Sequence, residues 1–210
     1  LGHGGYHRFA NAGGAGQVID VPATGSIRFN TNGGNITDSP RNFSQLGNGG
    51  YRSGGASDQD IIVQAGEDID FRAGHSDSFT MLGHGGTVNR WNGGVFDASG
   101  TLSGDIDVTA GRDINFRSGY DGDRAFAQLG HGGRDWTAYS LSGLGLSIAQ
   151  LQARTDDGHN GDITVTAQGV VDFRSGQPEL DIASHEAYAM IGHGGVESAG
   201  DHSGDISVTG

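Results

Sequence analysis

The chain has 210 residues, 41 of them Gly and none Cys, with a hydrophobic fraction of 34% and a formal net charge of −13. Gly stands far above its usual share of about 7% but lacks the every-third-residue period of collagen, which rules out a triple helix. The Leu- and Lys-poor composition argues against a helical bundle, no 18-residue apolar run offers a membrane-spanning helix, and the acidic balance argues against a nucleic-acid partner.

In chain order, the first motif is Leu1-Gly2-His3-Gly4-Gly5, with neither the basic start nor the apolar run of a signal peptide. Gln17-Val18-Ile19-Asp20-Val21 follows, and then Ile27-Arg28-Phe29-Asn30. The cycle restarts with Leu46-Gly47-Asn48-Gly49-Gly50, continues with Gln59-Asp60-Ile61-Ile62-Val63, and ends on Ile69 to Gly74. It returns at 82–86, 104–108 and 114–119, and again at 129–133, 161–165 and 171–176. A last pentapeptide, Ile191-Gly192-His193-Gly194-Gly195, precedes Gly204-Asp205-Ile206-Ser207-Val208. The order never changes, so the whole chain is a repeat array.

Each motif predicts a short strand. Ile106, Val108, Ile114 and Phe116 alternate with Asp105, Asp107, Asn115 and Arg117, the two-residue period of a strand with one buried face. Ala65-Gly66 and Ala110-Gly111 read as sharp corners, with Gly supplying the backbone angles and one-residue insertions at Thr24 and Gln168 relaxing two copies. Three short strands cannot bury an apolar face alone, but they can when stacked about 4.8 Å apart. The expected fold class is therefore all-β: a parallel β-solenoid of about four coils, three short strands per coil, forming one segment over residues 1–210. Coil length, read from Ile19, Ile61, Ile106, Ile163 and Ile206, runs from 42 to 57 residues, with lateral excursions at 87–103 and 134–160. Neither end carries an amphipathic cap, so the segment reads as the interior of a longer array.

The pattern Gly-Asp-Ile-x-Val, the pattern Ala-Gly-x-Asp-Ile-x-Phe-x-x-Gly and the recurring Leu-Gly-His-Gly-Gly resemble the repeat regions of large secreted bacterial surface proteins of the filamentous haemagglutinin type. The resemblance spans essentially the whole chain. It implies a parallel β-helix shaft, export by a two-partner or related pathway, and a role in surface adhesion or matrix building. The absence of thiols is compatible with such an extracellular setting. No binding residue carries over from the family.

Stacking would turn each repeat position into a column. His3, Asn48, His84, His131 and His193 share one, read as a structural ladder of hydrogen-bonded polar groups. Asn48 would be a poor ligand for a transition metal, and a column supplies one group per coil where a metal needs several converging, so no metal is expected there. Asp60, Asp105, Asp162 and Asp205 share another column. Calcium would relieve their repulsion, but the calcium β-roll register is missing, and the favoured reading has each Asp accepting hydrogen bonds from its own turn. Asp68 and Asp113 are placed beside Arg72, Arg117 and Arg174, and Arg28 beside Asp70, as register-fixing pairs rather than an anion site. Phe43, Phe79, Phe126 and Tyr188 fall on the face opposite the pentapeptide Leu, either as an exterior stack or on an irregular strand.

The excursion at 134–160 is the most individual stretch, with Leu141, Leu144, Ile148 and Leu151 at helical spacing. If a ligand is bound, the candidates are Trp136, Tyr139 and, one coil earlier, Trp91. No nucleophile motif is present and the carboxylates recur with the repeat as scaffolding would, so no catalysis is expected. The expected function is the shaft of a giant exported adhesin or extracellular filament protein. Its partners would be further repeats or neighbouring filament subunits, and host or matrix glycans. The alternative is a carbohydrate-binding or carbohydrate-cleaving β-helix module.

Overall fold

The structure, a computed structural model, describes residues 16–31, 42–51, 56–74, 77–88, 101–118, 124–135, 158–175, 187–195 and 201–210. All regular structure among them is β. Strands β1 (Gln17–Ala23), β2 (Ile27–Asn30), β3 (Phe43–Leu46) and β4 (Gly49–Tyr51) form the first coil. The second holds β5 (Ser57–Ala65), β6 (Ile69–Ala73), β7 (Phe79–Leu82) and β8 (Gly85–Val88). The third holds β9 (Leu102–Ser103), β10 (Ile106–Ala110), β11 (Ile114–Ser118), β12 (Phe126–Leu129) and β13 (Gly132–Asp135). The fourth holds β14 (His159–Asn160), β15 (Ile163–Ala167), β16 (Val171–Ser175) and β17 (Tyr188–Ile191), and β18 (Ile206–Thr209) begins a fifth.

Strands of successive coils pair in parallel, giving a β-solenoid. Its main faces are the sheets β1-β5-β10-β15-β18, β2-β6-β11-β16 and β3-β7-β12-β17. The expected parity holds in all three. Ile61, Ile106 and Ile163 stack in register, as do Phe29, Phe71, Phe116 and Phe173, and Leu46, Leu82, Leu129 and Ile191. These columns form one core, in which Phe71 lies 4.3 Å from Phe116, and Phe116 lies 4.6 Å from Phe173, with nearly parallel rings. Such a ring pair adds about 0.5–1.5 kcal/mol beyond its area burial.

The pentapeptide contributes more than one strand end. Its Leu closes the third strand, its Gly-His pair turns the chain, and its Gly-Gly pair starts a small fourth sheet, β4-β8-β13. Here only Gly fits. Gly83 and Gly130 hold φ of +149° and +139°, and a Cβ on Gly83 would lie 2.0 Å from the carbonyl oxygen of Gly130 in the coil above.

Three expectations need correction. The corners carry no insertions, because β1 and β2 pair with β5 and β6 at one constant offset, as do β10 and β11 with β15 and β16. Thr24 and Gln168 merely displace the corner Gly by one position. Nor does the corner Gly supply a left-handed angle. At Gly66 and Gly111 a Cβ would strike the carbonyl of Thr24 or Gly66 in the coil below at 2.2 Å, so close approach selects Gly.

The aromatic column is a third. The strands are regular and point Phe79 and Phe126 away from the main core, yet both are buried, in a second apolar cluster with Met81. Rings Phe43 to Tyr188 stack at 4.9–5.1 Å. Only Phe43, 37% exposed, counts as exterior.

Candidate functional site

The histidine column is the most specialised polar structure in the core, and the pentapeptide turn builds it. Gly on both sides of the central residue lets the chain fold the imidazole inward between successive coils. The backbone N–H of Asn48 donates to Nδ1 of His84 at 3.0 Å, that of His84 to Nδ1 of His131 at 3.0 Å, and that of His131 to Nδ1 of His193 at 3.1 Å. An Nδ1 that accepts an amide proton cannot carry its own, so the ring proton sits on Nε2. Each Nε2 then donates at 2.8 Å to a carbonyl at the start of the same coil: His84 to Gln59, His131 to Gly104, His193 to Gly161. Both nitrogens of all three rings are committed, and the rings stack at 4.8 and 5.1 Å. The ladder needs neutral imidazole and leaves no lone pair for a metal.

Electrostatics agree with that protonation state. Burial lowers the pKa of His84, against the opposing pull of its Gln59 hydrogen bond and of Asp58 and Asp60. Burial lowers that of His131 well below the ordinary value, reinforced by His84, His193 and His159. Asn48 continues the column with an amide: its Nδ2 donates to Ser57 Oγ at 2.8 Å and to Gln59 Oε1, and Gln59 Nε2 passes a bond of 2.8 Å to Gln17 Oε1. His3, the remaining member, lies outside the described residues.

The aspartate column also runs coil to coil. Oδ1 of Asp60 accepts the amide of Asp105, that of Asp105 the amide of Asp162, and that of Asp162 the amide of Asp205, each at 2.9 Å. The donor is therefore the next coil and not the Asp's own turn, which corrects the expectation. Arg28 pairs with Asp70 at 3.3 Å as anticipated. Asp68, however, pairs with Arg112 at 2.7 Å, and Asp113 accepts the amide of Val170 at 2.8 Å, while Arg117 and Arg174 converge on Asp172. Arg112 meets Asp68 and Arg117 meets Asp172 diagonally across coils, a relation that counting along one strand does not reveal, whereas Arg28 lies directly opposite Asp70 and Arg174 bonds Asp172 within its own strand. Among the described residues no group of three or more His, Asp or Glu is arranged to hold a metal ion, and no helix is long and apolar enough to cross a membrane. Trp91, Trp136 and Tyr139, like Leu141, Leu144, Ile148 and Leu151, lie outside the described residues.

Two polar columns escaped the sequence reading. Gln45 Nε2 donates to the carbonyls of Gly83 and Gly85 at 3.0 and 3.2 Å, and Gln128 Nε2 to those of Gly192 and Gly194 at 3.2 and 2.8 Å. Each Gln pins the Gly turn of the coil above; the recurring Gln-Leu-Gly was the available signal. His159 and His202 form a short second imidazole column, rings 4.9 Å apart, with the His159 amide donating to Nδ1 of His202 at 3.2 Å. Leu102 and Ser57 fill that column in earlier coils, which hides it as a repeat position.

No protein-family model, curated protein or solved structure matches the chain.

Proposed function

We propose that this chain is a shaft segment of an exported bacterial adhesin or extracellular filament protein, in line with its resemblance to filamentous haemagglutinin-type repeats, and that it performs no catalysis. One observation carries the reading: the side chains with specialised chemistry join one coil to the next. Imidazoles, aspartates and glutamines all bond along the solenoid axis, and successive arginines and aspartates pair across coils. Residues spent in this way build length and stiffness. An enzyme of this architecture would instead need two or three carboxylates gathered in a unique cleft. The partners under this proposal are further repeats, neighbouring filament subunits and surface or matrix glycans.

The test is immuno-electron microscopy of producing cells with an antibody against this segment. Label running along thin surface filaments is the expected result. Free globular particles in the medium, with activity on a polysaccharide, would overturn the proposal in favour of a carbohydrate-active module.

A further inference from the structure

The junctions between coils are not equivalent. Between the first and second coils the polar ladder is made of amides, Gln17, Gln59 and Asn48, and meets one imidazole, His84. Asp58 and Asp60 lie near that ring and offset part of the lowering that burial imposes on it. Between the third and fourth coils His131 stacks on His193, and His159 joins them: a Cβ on Gly132 would meet the His159 ring at 2.8 Å. Above, His159 stacks on His202. The groups that act on His131 are His84, His193 and His159; those on His159 are His202 and His193; those on His202 are His193 and Asp201. Asp201 is the one carboxylate in that set, against four imidazoles. Moreover, Nδ1 of His159 is buried without a hydrogen-bond partner among the described residues.

We propose that the junction of the third and fourth coils is an acid-sensitive seam, which opens on mild acidification before the junction of the first and second coils does. A proton added at the buried Nδ1 of His159 finds no acceptor among the described residues, so the ring must leave its place against Gly132 of the third coil to be solvated. A second proton on His202 sets like charges 4.9 Å apart, with Asp201 the one carboxylate acting on them.

The direction follows from linkage. Burial lowers the His159 pKa to about 4, helped by His202 and His193, and burial lowers that of His202 as well. The opened state titrates near the ordinary 6.5, so it takes up protons first. Stability is complete above about pH 6.5 and is lost as pH falls toward 4. From pH 7 to 5 His159 alone raises the opening equilibrium about twentyfold.

Hydrogen exchange on the 210-residue chain at pH 7 and 5, corrected for intrinsic rates, tests this. The amides of His131 and Gly192 report the seam, and those of Gly66 and Gly83 the lower coils. The expected result is a rise in opening of about twentyfold or more at the seam, with a clearly smaller rise at Gly66. An equal rise at both, or none at either, overturns the proposal. His159→Leu, which places the residue found at 102, should reduce the pH response at the seam by about twentyfold while leaving exchange at pH 7 near wild type. An unchanged response in a folded His159→Leu protein would also overturn it, and if that variant fails to fold, the wild-type exchange map still decides.

Discussion

At the scale of single residues, glycine separates two physical demands that composition alone merges. Gly130 sits at φ +139°, and a Cβ there would lie 2.0 Å from the carbonyl of Gly192. Gly130→Ala therefore combines backbone strain with a clash against rigid backbone, and should cost about 3 kcal/mol or more. In a chain of this size that lowers the thermal midpoint by roughly 6–12 °C. Gly25 holds no left-handed angle, and a Cβ on it would point into open space. Gly25→Ala should be neutral or raise the midpoint slightly, because it restricts only the unfolded chain. Paired melts of the two variants check both claims. Phe116, stacked between Phe71 and Phe173 and fully buried, offers a third: Phe116→Ala should cost about 3–5 kcal/mol in urea unfolding.

At the scale of elements, the sheets are held by two kinds of bond, and the strand ladders were the legible kind. Alternation in Ile-x-Val and Ile-x-Phe named the inward residues of the first two sheets, because burial on one face leaves a period of two in the sequence. Bonds between a side chain and the backbone of the next coil leave no period of two, and nothing in one strand names their partner. Gln128 is such a case: its Nε2 reaches three carbonyls, those of His131, Gly192 and Gly194. Gln128→Met introduces the residue found at 81 and 190 in the same column and preserves the volume, but it strips these carbonyls of their donor. A loss of about 1–3 kcal/mol in urea unfolding is expected, with fold and strand content intact by circular dichroism. The aspartate column belongs to this class. Asp105→Ala should uncap the Asp162 amide and cost about 1 kcal/mol, with or without a calcium chelator present.

At the scale of the whole molecule, equivalent columns mean that each coil interacts almost only with its neighbours, so stability adds along the axis. Ile61 and Ile106 occupy the same register position, and deletion of residues 61–105 should therefore close into a folded solenoid one coil shorter. Circular dichroism would show retained β structure, and small-angle scattering a shaft shortened by about 4.8 Å. An unfolded deletion product would show that the coils are not interchangeable. The sequence by itself determined the repeat, the strand parity, the core columns and the membership of the histidine and aspartate ladders, because stacking forces each coil to reuse the same residue types at the same places. Only the tertiary structure decided what those polar columns bond to. It made the imidazoles neutral acceptors of the coil below, turned the aspartates to the amides above, buried Phe79 and Phe126 in a second cluster, and brought His159 beside the ladder. Those outcomes depend on which coil lies next and how closely its backbone approaches, and no single coil's sequence contains that distance.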